Sequence, residues 1–587
     1  MKLLKAGIIC LLIIVIVLAV MVFRDRIQSV NIIEVQADPY SYDVKGAVEE
    51  YQLLEKLRED NSEAAIEKLK SLVDLKNATG YRANIILAEK LKGRGEDYTS
   101  HYKRALDLFV NQDLQFSLAE GLMEWEYTQE AIEAYINLLP AEDAIGSLLQ
   151  LGKNKWEIAR QLIVAKHFTA ATEYLQEELQ DSENDPLYKS LYALLLTSSG
   201  DYDAGLEIFQ DIKEVIISDK EIYWWYGRAL ETVGKLEEAM AVYEDLDGKG
   251  SYRFGLLLEG LNRNLEAANA YVTSDSDVSL WRGARLLDEL NRKEEALEVY
   301  KRLAYMEGSY HEDSAYRAYI LQKELQKPVD EEIVNLLKKS PAWSAAIGVE
   351  PQWPSLQPSA FRRPEFLQRY EDYLDEGLLE MANIEHSIGE KFATNQEKLY
   401  LGRENVERAQ YYRGVIWGIR AIREEPTLEG YQLAYQRPFE ELVMKAAEEF
   451  QIDPYLIWAV MREESHYRPE VFSRVGAVGL MQIMPATGED IASRLKVDFN
   501  DSHLLNPEIN IRFGAYYIKL MLNSFEGDMD RALAAYNGGP GNVRKWSRTH
   551  LGSTKEGFPT AITFLETRRY ITKVKNSYYT YKWLYQE

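Results

Sequence analysis

Two adjacent carboxylates, Glu463 and Glu464, stand where a helix ought to end. Leu456, Ile457, Trp458, Ala459, Val460 and Met461 before them leave hardly a polar face, so the helix is expected to be buried. Asp453 offers its first free amides an acceptor, and Pro454 fills the first helical position, where a missing N–H costs nothing. His466, Tyr467, Arg468 and Pro469 then break the pattern. A carboxylate at the C-terminal end of a buried helix is disfavoured by the helix dipole and by loss of water, and both push its pKa upward. That suits a proton donor working near neutral pH. By periodicity alone, such a pair is also an ordinary solvated helix end. The next segment, Ser473 to Thr487, has Gly476 and Gly479 for tight backbone and Gln482 between Met481 and Met484. It reads as a lobe of short strands and turns folded against the helix.

Four blocks carry the reading further. They are Glu464-Ser465; the run Gly476-Ala477-Val478-Gly479-Leu480-Met481-Gln482-Ile483-Met484-Pro485; Ala535-Tyr536-Asn537-Gly538-Gly539-Pro540-Gly541; and Glu566-Thr567-Arg568-Arg569-Tyr570. In this order and spacing they resemble the catalytic domain of the soluble lytic murein transglycosylases, with weaker similarity upstream to about Phe361. The resemblance implies a lysozyme-like α+β domain over residues 439–587. Its activity would be cleavage of the β-1,4 bond between N-acetylmuramic acid and N-acetylglucosamine. The C6 hydroxyl of the muramic acid attacks C1 and leaves a 1,6-anhydro end. One carboxyl serves as acid and then as base, with the substrate's N-acetyl group holding the developing cation, so no protein nucleophile, metal or cofactor is implied.

Glu464 occupies the family's Glu-Ser position and is the catalytic candidate, while Glu463 is expected to point to solvent. Ser473, Gln482 and Met484 match positions lining the cleft. Gln482 is placed to bond an acetamido group, and Met484 reads equally well as core packing. Tyr536 is expected to hydrogen-bond the catalytic carboxylate or stack on a sugar, and Asn537 to contact substrate or brace the Gly538–Gly541 turn; Gly539 stands where the family often has alanine. Glu566 reads as a second buried carboxylate, in the cleft or paired with a neighbouring arginine, and Tyr570 is its companion one turn later. Two other readings stay open. A lysozyme-type hydrolase would need a second carboxylate to activate water, and the segment from Ser473 to Thr487 has none. A non-catalytic peptidoglycan-binding scaffold would not need the candidate residues in all four blocks.

The elements that position these groups belong to a chain of 587 residues, long enough for three or four domains. Its net charge of −26 is unevenly spread. From Tyr431 onward 19 basic residues balance 19 acidic ones, while the remainder carries 49 basic against 75 acidic. No basic surface is available to replace counterions, which excludes nucleic acid as a partner. The single cysteine, Cys10, allows no internal disulfide, and the 7 histidines form no zinc-like spacing.

Lys2 and Lys5 precede an uncharged apolar run, Ala6 to Phe23, closed by Arg24-Asp25-Arg26. As a helix it spans about 27 Å, enough for a hydrocarbon core with interfacial help. A cleaved signal peptide ending at Val35-Gln36-Ala37 is the competing reading, and a lipoprotein at Cys10 is disfavoured by Ile9 before it. Residues 1–26 are read as a retained anchor (helix 6–23) and 27–44 as a juxtamembrane segment. Peptidoglycan lies outside the cytoplasmic membrane, so the expected place is that membrane, single-pass, with the catalytic domain facing the cell wall.

Residues 45–327 read as a helical solenoid. Ala171, Gly205 and Ala239 lie 34 residues apart, as do Leu175, Phe209 and Tyr243, and the turn glycines Gly200 and Gly234. The stretch from Trp224 to Tyr243 resembles a tetratricopeptide repeat, with shorter relatives at Ala131…Tyr135, Asn262…Ala267…Tyr271 and Asn291…Ala296…Tyr300. Six of 17 prolines fall between Pro328 and Pro364, so 328–364 reads as a linker, followed by a helical linker domain at 365–438. The expected whole is mainly α. Its partners are peptidoglycan glycan strands, the membrane through the N-terminal helix, and a protein on the solenoid.

Overall fold

The computed structural model describes residues 46–181 and 185–586. The apolar run Ala6–Phe23 lies outside them; among the described residues no helix is long and apolar enough to cross a membrane. Regular structure among the described residues is helical throughout, apart from three isolated β-bridges. The α+β expectation for the C-terminal domain is therefore corrected: the domain is built of helices.

The chain divides into two compact units. The smaller joins the described residues 46–83 to Pro354–Pro438. Its centre is a buried ion cluster. Arg369 donates to Glu385 at 3.0 Å and pairs with Glu50 at 3.0 Å, and the second oxygen of Glu385 accepts from the Ala78 amide at 2.9 Å. Burial pushes the Glu385 carboxyl up, against the attraction of Arg369. Residues 46–83, read from sequence as the start of the solenoid, thus group with a partner some 300 positions later in the chain.

The larger unit comprises Asn84–Trp353 and Phe439–Glu587. Its first part is an array of paired helices. The repeat positions Ala171, Ala239, Leu175, Phe209 and Tyr243 are all fully buried. Small residues there make room for rings: a Cβ on Gly255 would lie 2.4 Å from the Tyr271 ring. The repeat also carries a polar clip. Tyr243 donates to Glu231 at 2.9 Å and Arg253 to the same carboxylate at 3.0 Å; Tyr271 and Arg282 each reach Glu259 at 2.5 Å. In the next repeat Arg317 grips Asp288 through two bonds of 2.6 and 3.0 Å, both side chains buried. Each of these three carboxylates has its arginine, which is the condition under which buried charge is tolerated.

Three helices of this part matter for the site: α1 (Asp277–Glu289), α2 (His311–Glu324) and α3 (Pro341–Ile347). The last lies inside the proline-rich stretch, with Pro341 at its first turn. That stretch is partly helical, because proline is welcome at the start of a helix. The C-terminal part of the unit contains α4 (Glu440–Phe450), α5 (Pro454–Ser465), α6 (Pro485–Leu495), α7 (Pro507–Ser524), α8 (Met529–Gly538) and α9 (Leu565–Tyr585). Helix α5 packs on α9 and α4, and α8 lies between α7 and α9. The Asn576 side-chain oxygen of α9 accepts from the Ser340 hydroxyl at 2.9 Å and the Ala342 amide at 2.8 Å, seating α3.

Candidate active site

Helix α5 begins as its first residues dictate. The Asp453 side chain accepts from the Tyr455 amide at 2.9 Å, and its second oxygen accepts from the Tyr578 hydroxyl at 2.8 Å. Leu456 to Met461 are buried all round, Trp458 near the ring of Tyr581. The helix stops because His466 and Tyr467 turn left-handed, at φ 48° and 65°. This is a strained ending for side-chain-bearing residues. Ser465 holds it: its hydroxyl is 3.1 Å from the Met461 carbonyl and 2.8 Å from the Leu480 carbonyl of the following lobe.

The two carboxylates leave the helix about 100° apart and meet different surroundings. Glu463 does not point to solvent. Its side chain is 11% exposed, is ion-paired with Arg462, and accepts from the Ser577 hydroxyl of α9 at 2.6 Å. Burial opposes its charge, but Arg462 and Ser577 outweigh burial and hold the carboxyl below its ordinary range. The expectation failed because Ser577 lies 114 positions away in sequence. Glu464 is half-buried and has no cation among the groups that shift it. Burial pushes its pKa up to about 7, the charges of Glu463 and Glu566 add to the rise, and the Tyr570 hydroxyl opposes it. Nearby His466 is pushed well below its ordinary range by burial and by Arg462, so it is neutral.

Tyr536 of α8 and Tyr570 of α9 stand together beside Glu464, with rings 6.5 Å apart and nearly parallel. The Tyr536 hydroxyl donates to the Met481 carbonyl at 2.8 Å, which ties this tyrosine to the lobe. The Tyr570 hydroxyl is buried and faces Glu464 without a hydrogen bond of good geometry. Glu566 is exposed at the first turn of α9, which corrects the expectation of a buried carboxylate. Asn537 is exposed, and its side-chain oxygen accepts from the Thr567 hydroxyl at 2.7 Å, tying α8 to α9.

The lobe after α5 has two antiparallel bridges, Phe472 with Val478 and Val478 with Ile483, where short strands were expected. Left-handed backbone at Gly476, Gly479 and Gln482 turns the chain too often for a strand to extend. Ser473 closes a turn, accepting from the Ala477 amide at 2.8 Å. The Gln482 amide nitrogen donates to the Gly479 carbonyl at 2.9 Å and the Val471 carbonyl at 3.2 Å, leaving its side-chain oxygen for other work. Met484 is 40% exposed just ahead of α6. The structure thus gathers Glu464, Tyr536 and Tyr570, with Glu566 at their edge. Ser473, Gln482 and Asn537 instead bond the surrounding framework.

One framework residue escaped sequence reasoning. Asn510 of α7 is buried; its side-chain oxygen accepts from the Met481 amide at 2.7 Å, and its nitrogen donates to the Val478 and Leu504 carbonyls at 3.0 and 2.7 Å. An amide in an otherwise apolar helical face, between Ile509 and Ile511, is its only sequence signal. Gly479 fits beneath it, because a Cβ there would lie 2.4 Å from the Leu504 carbonyl oxygen. Among the described residues no group of three or more His, Cys, Asp or Glu side chains is arranged to hold a metal ion.

Residues 441–557 match the family model described as "Transglycosylase SLT domain". The soluble lytic murein transglycosylase of Escherichia coli (strain K12) is 39% identical over 128 residues, which is 21% of this chain and 20% of that protein. The membrane-bound lytic murein transglycosylase C of Edwardsiella ictaluri is 31% identical over 164 residues, 24% of this chain and 46% of the relative. The matching segment therefore spans about one fifth of the first relative's length and less than half of the second's. Among solved structures, an inactive mutant of the lytic transglycosylase Slt from Pseudomonas aeruginosa superposes with a TM-score of 0.60, at 18% identity and over 92% of both chains. That likeness is one of fold. Residues 441–557 therefore match a transglycosylase SLT domain, and over that stretch the chain is similar to the soluble lytic murein transglycosylases.

Proposed function

We propose that the protein is a peptidoglycan lytic transglycosylase in which Glu464 is the single acid and base. One observation carries this reading: Glu464 is a half-buried carboxyl, pushed up to about 7 by burial, that faces two tyrosines while its neighbour Glu463 is held by an arginine. Protonated, it donates to the glycosidic oxygen between N-acetylmuramic acid and N-acetylglucosamine. The bond to C1 then breaks, and the resulting carboxylate takes the proton from the C6 hydroxyl as that oxygen attacks C1. A 1,6-anhydro end forms, and Glu464 finishes protonated for the next cycle. Tyr570 stabilises the carboxylate during the interval in which it is charged, and Tyr536 fixes the lobe against the same site.

Glu566 favours one rival. It is exposed and near enough to Glu464 for its charge to be felt, so a water-using hydrolase would recruit it as the second carboxylate. Mass spectrometry of digested sacculi separates the two: anhydro-muramic products support the transglycosylase, and reducing ends support the hydrolase. The run Ala6–Phe23 is proposed as the anchor that holds this activity at the outer face of the cytoplasmic membrane. Protease treatment of cells stripped of wall should digest everything after Arg26 and leave a membrane-bound stub. An intact soluble product starting near Asp38 would end the anchor reading.

A further inference from the structure

Arg568 is a buried cation that the proposed chemistry does not use. It is 3% exposed, and its guanidinium packs over two rings of the helical array, 4.3 Å from the centre of Trp281 on α1 and 5.0 Å from that of Tyr310 at the start of α2. Those rings stack on each other at 5.3 Å, and Trp281 meets Tyr300 edge-on at 5.6 Å. The Nε and Nη1 groups of Arg568 are buried without a hydrogen-bond partner. A side chain placed only to stabilise the fold would be expensive in that state, so its position calls for another reason.

The reason is its place on α9. Thr567, Arg568 and Tyr570 share the first turn and a half of that helix. Thr567 bonds Asn537 on α8, Arg568 points to the array, and Tyr570 points to Glu464. Farther along, α9 is held by Asn576 against α3 and by Trp583, stacked on Trp353 at 4.5 Å. Next to the site, Arg568 fastens α9 to the array together with Leu565, which packs on the same apolar cluster. A tyrosine hydroxyl on a helix sits on the order of 9 Å from the axis, so a rotation of about 5° moves it by about 0.8 Å. A misplacement of roughly 1 Å is enough to cost about 100-fold in rate.

Resting on the reading of Glu464 above, we propose that Arg568 is a positioning residue: seated on Trp281 and Tyr310, it lets the array set the rotation of α9 and so the contact of the Tyr570 hydroxyl with Glu464. The array is then part of the construction of the active site. The charged and titratable groups facing Arg568 are Asp313, Arg285, Tyr300 and Tyr310; those facing Glu464 are Glu463 on its own helix, Tyr536 on α8, and Glu566 and Tyr570 on α9.

The test uses the full chain and three variants: Arg568→Met, Arg568→Lys and Trp281→Leu. Arg568→Met and Trp281→Leu should each lower kcat about tenfold at unchanged KM. Both should also move the alkaline limb of the kcat profile upward, because the tyrosine that favours the charged form of Glu464 is displaced. Arg568→Lys keeps charge over the rings and should recover part of the loss. Combining Arg568→Met with Trp281→Leu should cost no more than either alone. A substrate-free readout accompanies these, the 13C titration of the Glu464 carboxyl, assigned with Glu464→Gln, which should move upward in Arg568→Met and Trp281→Leu. Folded variants with wild-type kcat, pH limb and titration would overturn the proposal. If Glu464→Gln is itself active, the reading of function fails, and the titration still decides the role of Arg568.

Discussion

The helical array and the C-terminal domain both bury carboxylates, and they put them to opposite uses. In the array Glu231 is held by Tyr243 and Arg253, and these partners overcome burial to keep its pKa below the ordinary value. In the C-terminal domain Glu464 meets tyrosines and no cation, and burial wins, pushing it up to about 7. The same contrast recurs within two residues of α5, where Glu463 has Arg462 and Ser577 and stays charged. Burial by itself decides nothing; the partner decides whether a carboxylate is a fastening or an acid.

The comparison breaks most severely where a fastening loses one side. Asp288→Ala takes from the buried Arg317 its two-bond partner and leaves it only Glu324, at 3.1 Å, and should cost about 3–5 kcal/mol in denaturant unfolding. Glu464→Gln should lower turnover by at least about two orders of magnitude, measured as muropeptide release, with the fold intact. Glu463→Gln would be silent if the side chain faced solvent, which it does not. It should instead cost about 2 kcal/mol of stability by weakening a charged hydrogen-bond pair. It should also move the alkaline limb of activity downward, since a charge that raises Glu464 is removed.

Stability against pH sharpens the contrast, because the two signs differ. Glu464 is raised above its ordinary 4.5, so the stability it allows is complete below that pH and is lost as pH rises through about 7. Glu464→Gln should therefore match wild type in acid and exceed it at neutral pH and above. Glu231 is depressed, so its contribution is present above about 4.5 and lost as pH falls through its lower folded value. Glu231→Gln should be weaker than wild type at neutral pH and converge with it in acid. The smallest effect is steric. Gly255→Ala pushes a Cβ into the Tyr271 ring and should cost about 1–3 kcal/mol by thermal unfolding.

What was legible in sequence was local or periodic. Asp453 and Pro454 announced the start of α5, and the 34-residue spacing located positions that prove buried. The drift of that spacing is real: Tyr243, Tyr271 and Tyr300 repeat at 28 and 29, each near a carboxylate that no hydrophobic pattern reveals. Glu463 was misread because a helix end looks the same whether its carboxylate meets water or a serine on a distant helix. Glu566 was misread because a conspicuous motif says nothing about exposure. The grouping of residues 46–83 with Pro354–Pro438 rests on Arg369, Glu50 and Glu385, whose separation hides them from any local window.

The lobe between α5 and α6 has a further consequence. Ala477 to Met484 contains no charge and no proline, the composition from which intermolecular β-stacks are made. Its main chain is nevertheless spoken for. Ser465 takes the Leu480 carbonyl, Asn510 takes the Met481 amide and the Val478 carbonyl, and Tyr536 takes the Met481 carbonyl. Side chains from three helices occupy the groups that a neighbouring molecule would need for pairing, so the segment presents no free edge. The framework that shapes the surroundings of Glu464 thereby also withholds this segment from pairing with another molecule while folded. Asn510→Ala should uncover that hazard as aggregation before it appears as lost activity.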